Sequence, residues 1–340
     1  MLGISAYPKD IDPDYLKRAA AAGVREVFTS LQIPEDTPTE FTQGLRTLQQ
    51  AVHALDLNVI VDISPATFKK LGLADNDFNG IYAQGFHSLR LDYGFDDPAL
   101  IRKLQKHFTV VLNASTVQVD FLNALQVEGV DLRKLVVAHN FYPKPDTGLT
   151  AAYFAEKNKL FQEWEIPLLA FIPGDGLKRY PVYAGVPTLE HQRGFNSYAA
   201  YLEMALRYGV EWIYVGDSQL TAQSLAWIQR FSQDGVITLP VAGTTQLPSD
   251  PLKVRREVSP GMVRIQTPRQ ATPVGPVLDR PAGTVTIEND LAGRYHGEID
   301  IAKTDLPFSP TSNYLGTIPA PFLPLLPLLD GQHPVQFTAL

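Results

Sequence analysis

Along residues 1–235, short apolar and β-branched runs alternate with longer stretches whose apolar positions recur every three or four residues. The short runs are Leu2–Ala6, Glu26–Ser30, Asn58–Ile63, Ser88–Leu91, Thr109–Asn113, Leu135–His139, Pro167–Ile172 and Trp212–Val215. Runs such as Val59-Ile60-Val61 and Val110-Val111-Leu112 have no polar face, the pattern of parallel strands covered on both sides. The longer stretches read as amphipathic helices. Leu45, Leu48, Val52 and Leu55 form a stripe over Phe41–Leu55, and Leu100, Ile101, Leu104 and Phe108 form one over Pro98–Phe108. Pro13–Ala22, Thr150–Trp164, Tyr198–Tyr208 and Ser218–Phe231 follow the same rule, and Gly23 is suited to stop the first of them. Eight strand–helix units over this length match a (β/α)8 TIM barrel, an α/β fold of ~250 residues. The rival, a doubly wound sheet, needs a glycine-rich turn after its first strand, and Ser5-Ala6-Tyr7-Pro8 is not one.

Past Gly235 the texture changes. Residues 240–281 are rich in Pro, Thr, Gln and Arg with little helical periodicity, and strand signals follow at Thr284–Glu288, Gly297–Ile301 and Val335–Phe337. Asn289–Gly293 reads as a turn between two of these strands. The expected organisation is a barrel over residues 1–235 and a smaller all-β domain over 236–340. Proline usage agrees, with fifteen of the 27 prolines beyond residue 235. The run from Pro319 to Pro327 reads as an ordered edge of polyproline II type.

Composition narrows the chemistry. There is no cysteine, so disulfide scaffolds, thiolate metal sites and cysteine nucleophiles are excluded. The formal charge of -7 gives no footing for nucleic-acid binding. No stretch approaches a membrane span and the N-terminus has no signal-peptide pattern, so a cytoplasmic protein without membrane association is expected. The scattered histidines form no metal-ligand pair, and phosphate-loop, dinucleotide and Gly-x-Ser-x-Gly patterns are missing. No cofactor or metal is called for. A homodimer stays an open option.

In a TIM barrel, chemistry sits at the carboxyl ends of the strands. All eight ends here are polar. They carry Ser5 and Tyr7, then Thr29–Gln32, Asp62, Arg90–Asp92, Asn113, His139-Asn140-Phe141-Tyr142, Asp175 and Asp217. Such a face suits a sugar, with aromatic rings available to stack on it. The carboxylates Asp62, Asp92, Asp175 and Asp217, with Glu35 and Glu190 on adjoining loops, supply acid–base groups, and glycoside hydrolysis needs two of them. The cations Arg90, Lys178 and Arg179 point to an anionic substituent. Plainer explanations stand beside these. Asp217 can cap a helix beginning at Ser218, Asp96 and Asp97 can cap the one at Pro98, and His139 can be a satisfied core residue.

The segments Met1-Leu2-Gly3-Ile4-Ser5, Phe28-Thr29-Ser30-Leu31, Leu89-Arg90-Leu91-Asp92-Tyr93-Gly94-Phe95 and His139-Asn140-Phe141-Tyr142-Pro143 resemble the bacterial 6-phospho-N-acetylmuramidase family. So do Thr147-Gly148-Leu149, Phe171-Ile172-Pro173-Gly174-Asp175, Pro187-Thr188-Leu189-Glu190 and Arg294-Tyr295-His296-Gly297-Glu298. The resemblance implies a TIM barrel followed by a cyclophilin-like β-barrel. It also implies cytoplasmic hydrolysis of the β-1,4 bond between N-acetylmuramic acid 6-phosphate and N-acetylglucosamine, in cell-wall recycling. The implied partner is that phosphorylated amino-sugar disaccharide.

On this reading Asp92 and Asp217 are the favoured catalytic carboxyls, with Glu190 and Asp62 as rivals. Ser5, Tyr7, Arg90, Asn113, His139, Asn140, Tyr142, Asp175, Lys178 and Arg294 are the candidate substrate-binding residues. A role for Arg294 requires the second domain to help close the barrel mouth. The alternatives are a non-catalytic phosphosugar binder, or a lyase or isomerase acting on a related phosphosugar.

Overall fold

The computed structural model describes residues 1–33, 37–243 and 247–340. Glu35 lies outside them. The chain divides into two compact units, one of Met1–Ser197 with Tyr208–Leu225, the other of Tyr198–Arg207 with Ala226–Leu340.

In the first unit eight strands close a parallel barrel in chain order: β1 (Leu2–Ser5), β2 (Glu26–Ser30), β3 (Asn58–Ile63), β4 (Ser88–Leu91), β5 (Thr109–Asn113), β6 (Leu135–Ala138), β7 (Leu168–Ile172) and β8 (Trp212–Val215). β8 returns to β1 through the pairs Leu2 with Ile213 and Gly3 with Tyr214. The predicted TIM barrel is therefore the fold of this unit. Its interior is filled by Tyr7, Phe28, Ile60, Val111, Ala138, Phe171 and Tyr214. A Cβ on Gly3 would collide with the Tyr214 ring, so the large ring on one strand requires glycine beside it.

Helix starts follow their caps. Asp12 accepts the N–H groups of Asp14 and Tyr15 ahead of α1 (Pro13–Ala21). Thr37 and Glu40 form a reciprocal capping box at α2 (Pro38–Leu55). The six-residue helices α3 (Pro65–Lys70) and α4 (Phe78–Ala83) are too short to show a period in sequence. α5 (Pro98–Leu104) is capped by Asp97, as the plainer reading of that residue expects. It ends before the predicted Phe108, because Gln105–His107 turn out of the helix. α6 (Val119–Glu128) and α7 (Ala151–Glu163) follow β5 and β6.

The predicted helix at Tyr198–Tyr208 is α8 (Ser197–Leu202) continued by a π-helical turn, Glu203–Arg207. The predicted helix at Ser218 instead starts at Ala222 as α9 (Ala222–Asp234). Thr221 Oγ1 accepts the Ser224 N–H there, so Asp217 does not cap it. Among the described residues no helix is long and apolar enough to cross a membrane.

The second unit contains β9 (Ile237–Val241), β10 (Met262–Ile265), β11 (Thr284–Glu288), β12 (Ile299–Ala302), β13 (Ser312–Thr317) and β14 (Val335–Ala339). Four strands form an antiparallel sheet in the order β10-β12-β11-β13, and β9 pairs in parallel with β14. Val263, Ile265, Val285, Ile299 and Ile301 are buried on one face of this sheet. Arg264, Thr286 and Asp300 lie in register on the other.

The run Pro319–Pro327 is not a polyproline II edge. It forms a 3-10 helix over Ala320–Leu328, with Phe322, Leu325, Leu326 and Leu328 buried. Prolines at positions 321, 324 and 327 repeat every three residues, and three residues per turn is the period of both structures. The deciding term is the burial of the leucines between them.

Candidate active site

Strand alternation dictates what reaches the barrel mouth. Phe28, Ile60, Val111 and Ala138 point inward, so Ser30, Asp62, Asn113 and Asn140 continue those inward rows at the carboxyl ends. Arg90 is buried at the end of β4 and joins them. Its Nη1 donates to Asp62 Oδ1 at 2.5 Å and lies 3.7 Å from Asp92 Oδ1, while its Nη2 donates to Asn140 Oδ1 at 2.5 Å. Gln32 Nε2 donates to Asp62 Oδ2 at 2.8 Å and to Asp92 Oδ2 at 3.3 Å. Those two legs bound the separation of the Oδ2 atoms at about 6 Å. Ser30 Oγ also donates to Asp62, at 3.1 Å.

The two carboxylates differ in surroundings. Asp62 has both oxygens occupied and a side chain 7% exposed, whereas the Asp92 side chain is 31% exposed. Asp92 accepts from Asn113 Nδ2 only at 3.3 Å. Asn140 Nδ2 donates to Ser115 Oγ, and the half-buried Tyr142 hydroxyl bonds with Asn140 and Ser115. Burial pushes the Tyr142 phenol above its usual value, so it keeps its proton and can donate a hydrogen bond. Asp62, Arg90, Asp92, Asn113, Asn140 and Tyr142 are thus brought together. Gln32, Ser30 and Ser115 complete the group, and alternation from Phe28 is the signal that points to Ser30 and Gln32.

The other candidates are held elsewhere in the frame. Ser5 Oγ donates to the Val215 carbonyl at 2.6 Å, and Tyr7 Oη to that of Gly216 at 2.7 Å. Both hydroxyls are buried, and burial pushes the Tyr7 phenol up to about 12. His139 is on the outward row of β6. Its Nε2 meets Asn158 Oδ1 at 2.7 Å and its ring packs on Phe154 beneath α7. Burial brings its pKa down to about 4, so at neutral pH it is an uncharged core imidazole and no anion ligand.

Asp217 is fully buried and accepts three backbone N–H groups, from Gly174 at 2.8 Å, Arg179 at 2.9 Å and Val186 at 3.1 Å. A Cβ on Gly174 would lie 2.8 Å from the Asp217 Cβ, so glycine is required for that approach. Lys178 Nζ donates to the Gly174 carbonyl and lies 3.7 Å from Asp217 Oδ2. Asp175 ties loops together by accepting from Thr221, Ser224 and Asn196.

Glu190 receives Arg193 Nε and Nη2 at 2.6 Å each, and the N–H groups of Asp146 and Gly148. The Arg193 guanidinium, foremost, holds the Glu190 carboxyl down at about 2. Arg193 also donates to the carbonyls of Tyr142 and Gly185. The pair therefore pins the loop after β6 to the loop after β7. Arg179 is buried with its guanidinium 4.6 Å from the Tyr7 ring centre and 5.2 Å from that of Phe141, and its Nε has no hydrogen-bond partner among the described residues. Arg294 belongs to the second unit, where its Nη2 donates to Tyr295 Oη at 2.7 Å. Among the described residues no group of three His, Cys, Asp or Glu side chains is arranged to hold a metal ion.

Comparison with known proteins extends this picture. A conserved Enterococcus faecalis protein of unknown function, solved by crystallography, is 30% identical, with a TM-score of 0.86 over 100% of this chain and 96% of its own. An uncharacterised B. cereus protein of known structure is 22% identical, with a TM-score of 0.78 over 99% of both chains, and attests the fold. No curated protein matches. Residues 2–230 match the N-terminal domain of 6-phospho-N-acetylmuramidase, and residues 244–338 match its C-terminal domain. With nearly the whole chain matched in this way, the protein belongs to the 6-phospho-N-acetylmuramidase family and is a glycosidase acting on a phosphorylated muramic sugar.

Proposed function

We propose that the protein hydrolyses the β-1,4 bond between N-acetylmuramic acid 6-phosphate and N-acetylglucosamine, in the cytoplasmic recycling of cell-wall sugars. The observation that carries this reading is the bridge from Asp62 through Arg90 and Gln32 to Asp92 at the carboxyl ends of β3 and β4. Asp92 is the more open carboxyl and meets the glycosidic centre. Asp62, fixed by Arg90, supplies the second carboxylate and stabilises positive charge developing on the sugar ring. Asn113 and Tyr142 contact sugar hydroxyl or acetamido groups, and Lys178 and Arg179 give the mouth its attraction for a phosphate. Asp217 and Glu190 act by holding the loops that carry these groups.

A separation of at most about 6 Å lies short of the ~6.5–9.5 Å that leaves room for a water in inverting enzymes. The reading therefore includes retention of anomeric configuration. The test is incubation of purified protein with the phosphorylated disaccharide, following N-acetylglucosamine release and the first-formed anomer by proton NMR. Release of the sugar with a β-configured muramic product is the expected result. No release at any pH from mild acid to neutral overturns the reaction, and an α-configured first product overturns the retaining pair.

A further inference from the structure

The second unit contains a cavity of about 330 Å³. Its lining includes Arg255, Arg264, Arg269, Arg294, Tyr295 and Glu298. In a chain of net charge -7, four arginines around one cavity are a local reversal of sign. Among the described residues Glu298 is the only carboxylate in the lining, and it is already engaged. Arg264 Nε and Nη2 donate to it at 2.9 and 3.1 Å, and Arg255 Nε lies 3.2 Å away. That arrangement fixes two guanidinium planes while cancelling one charge. Arg269 makes no hydrogen bond or ion pair among the described residues, and Arg294 meets only the neutral Tyr295 hydroxyl.

The walls are built rather than incidental. Thr267 Oγ1 donates to the Gly297 carbonyl at 2.6 Å, which joins the segment carrying Arg269 to the turn carrying Arg294 and Tyr295. At Gly297, whose φ is +82°, a Cβ would lie 2.9 Å from the Gln270 nitrogen, so the two walls touch through backbone. Arg255 is held against Arg264 by a bond from its N–H to the Arg264 carbonyl at 2.9 Å. Tyr295 is 43% exposed and sits at the rim with the Arg294 guanidinium 5.0 Å from its ring centre.

We propose that this cavity binds the phosphate monoester of a small sugar, with Arg269 and Arg294 on the phosphate and Tyr295 against the sugar ring. Guanidinium forks match phosphate oxygens two at a time, and an exposed aromatic face suits the apolar side of a pyranose. The volume accommodates a sugar phosphate and exceeds what bare phosphate fills. This site stands independently of the hydrolytic reading, since it is defined by binding within the second unit.

The test is calorimetric titration of the full chain at low salt with glucose 6-phosphate, inorganic phosphate and glucose, on wild type, Arg269→Gln, Arg294→Gln and the double variant. Arg269 is exposed and unbonded, so Arg269→Gln is expected to keep the wild-type melting temperature. Each single variant is expected to weaken glucose 6-phosphate binding by about tenfold, and the double variant to abolish it. The barrel variant Asp92→Asn is expected to bind as wild type does. Equal binding of glucose overturns the phosphate assignment. Undiminished binding by the double variant overturns the cavity. Competition by polyglutamate as strong as by glucose 6-phosphate overturns the sugar phosphate in favour of an acidic peptide. Failed hydrolysis of the phosphorylated disaccharide with intact binding would overturn the proposed reaction alone.

Discussion

Replacing Asp217 by Asn separates a carboxylate that builds the barrel mouth from one that reacts in it. One oxygen of Asp217 accepts from Gly174 and Val186, the other from Arg179. In Asp217→Asn the amide oxygen can keep the first two bonds, but the new NH2 then faces the Arg179 N–H, leaving a buried donor unsatisfied. Such an orphan costs about 1–3 kcal/mol, and the lost charge beside Lys178 adds to it. A destabilisation of about 3 kcal/mol is expected, or roughly 6–12 °C in melting temperature for a unit of this size. Asp217→Ala loses all three bonds and should cost roughly 5 kcal/mol. The assay pairs scanning calorimetry with kcat for sugar release well below the transition. A variant that melts within about a degree of wild type yet loses roughly a thousandfold in kcat would show that Asp217 acts on substrate, and the scaffold argument would fail.

Other expectations follow from the same geometry. Asp92→Asn should lower kcat by at least about a hundredfold with little change in melting temperature, whereas Arg90→Lys should lower both, because a lysine cannot bridge Asp62, Asp92 and Asn140. Burial, then Glu298 and Glu288, raise the Asp300 pKa from 3.8 to about 7. Its stabilising contribution is therefore complete below pH 3.8 and is lost as pH rises towards 7, about 4 kcal/mol in all. Asp300→Asn should flatten that slope in unfolding measured from pH 4 to 8, and an unchanged slope would refute the assignment. His139 works the other way. With its pKa lowered from 6.5 to about 4 by burial, it contributes about 3 kcal/mol above pH 6.5 that is lost on acidification towards 4. His139→Gln should remove that acid sensitivity from the unfolding of the barrel.

The barrel was legible because its signal is periodic. Eight short apolar runs recur between helical stretches, and all eight are strands of the closed sheet. Short helices such as α3 and α4 escaped because six residues do not complete two turns. The polar strand ends marked the right region, yet residue type alone did not sort its members. Side-chain alternation does so in part. Asn140 follows the inward row of Val136 and Ala138, while His139 follows the outward row of Val137. What alternation cannot supply is the partner. Asp217 and Asp92 look alike in sequence, and only folding shows that one faces three backbone N–H groups and the other an arginine and two amides. Glu190 is distinguished by Arg193 three residues on, a spacing visible in sequence that carries no meaning until the loop of Asp146 and Gly148 arrives.

The parallel pairing of β9 with β14 sets a constraint on synthesis. Ile237–Val241 is made before the four-stranded sheet, but its partner Val335–Ala339 emerges only after that sheet is complete. During translation the apolar run Ile237-Thr238-Leu239-Pro240-Val241 therefore waits as an unpaired strand edge. Pro240 is the one position in it unable to donate to a stray neighbouring chain. Growth temperature and chaperone supply should thus govern the yield of the protein more than its equilibrium stability does. Truncation after Pro334 should shift the product towards aggregate, even though no strand of the barrel has changed.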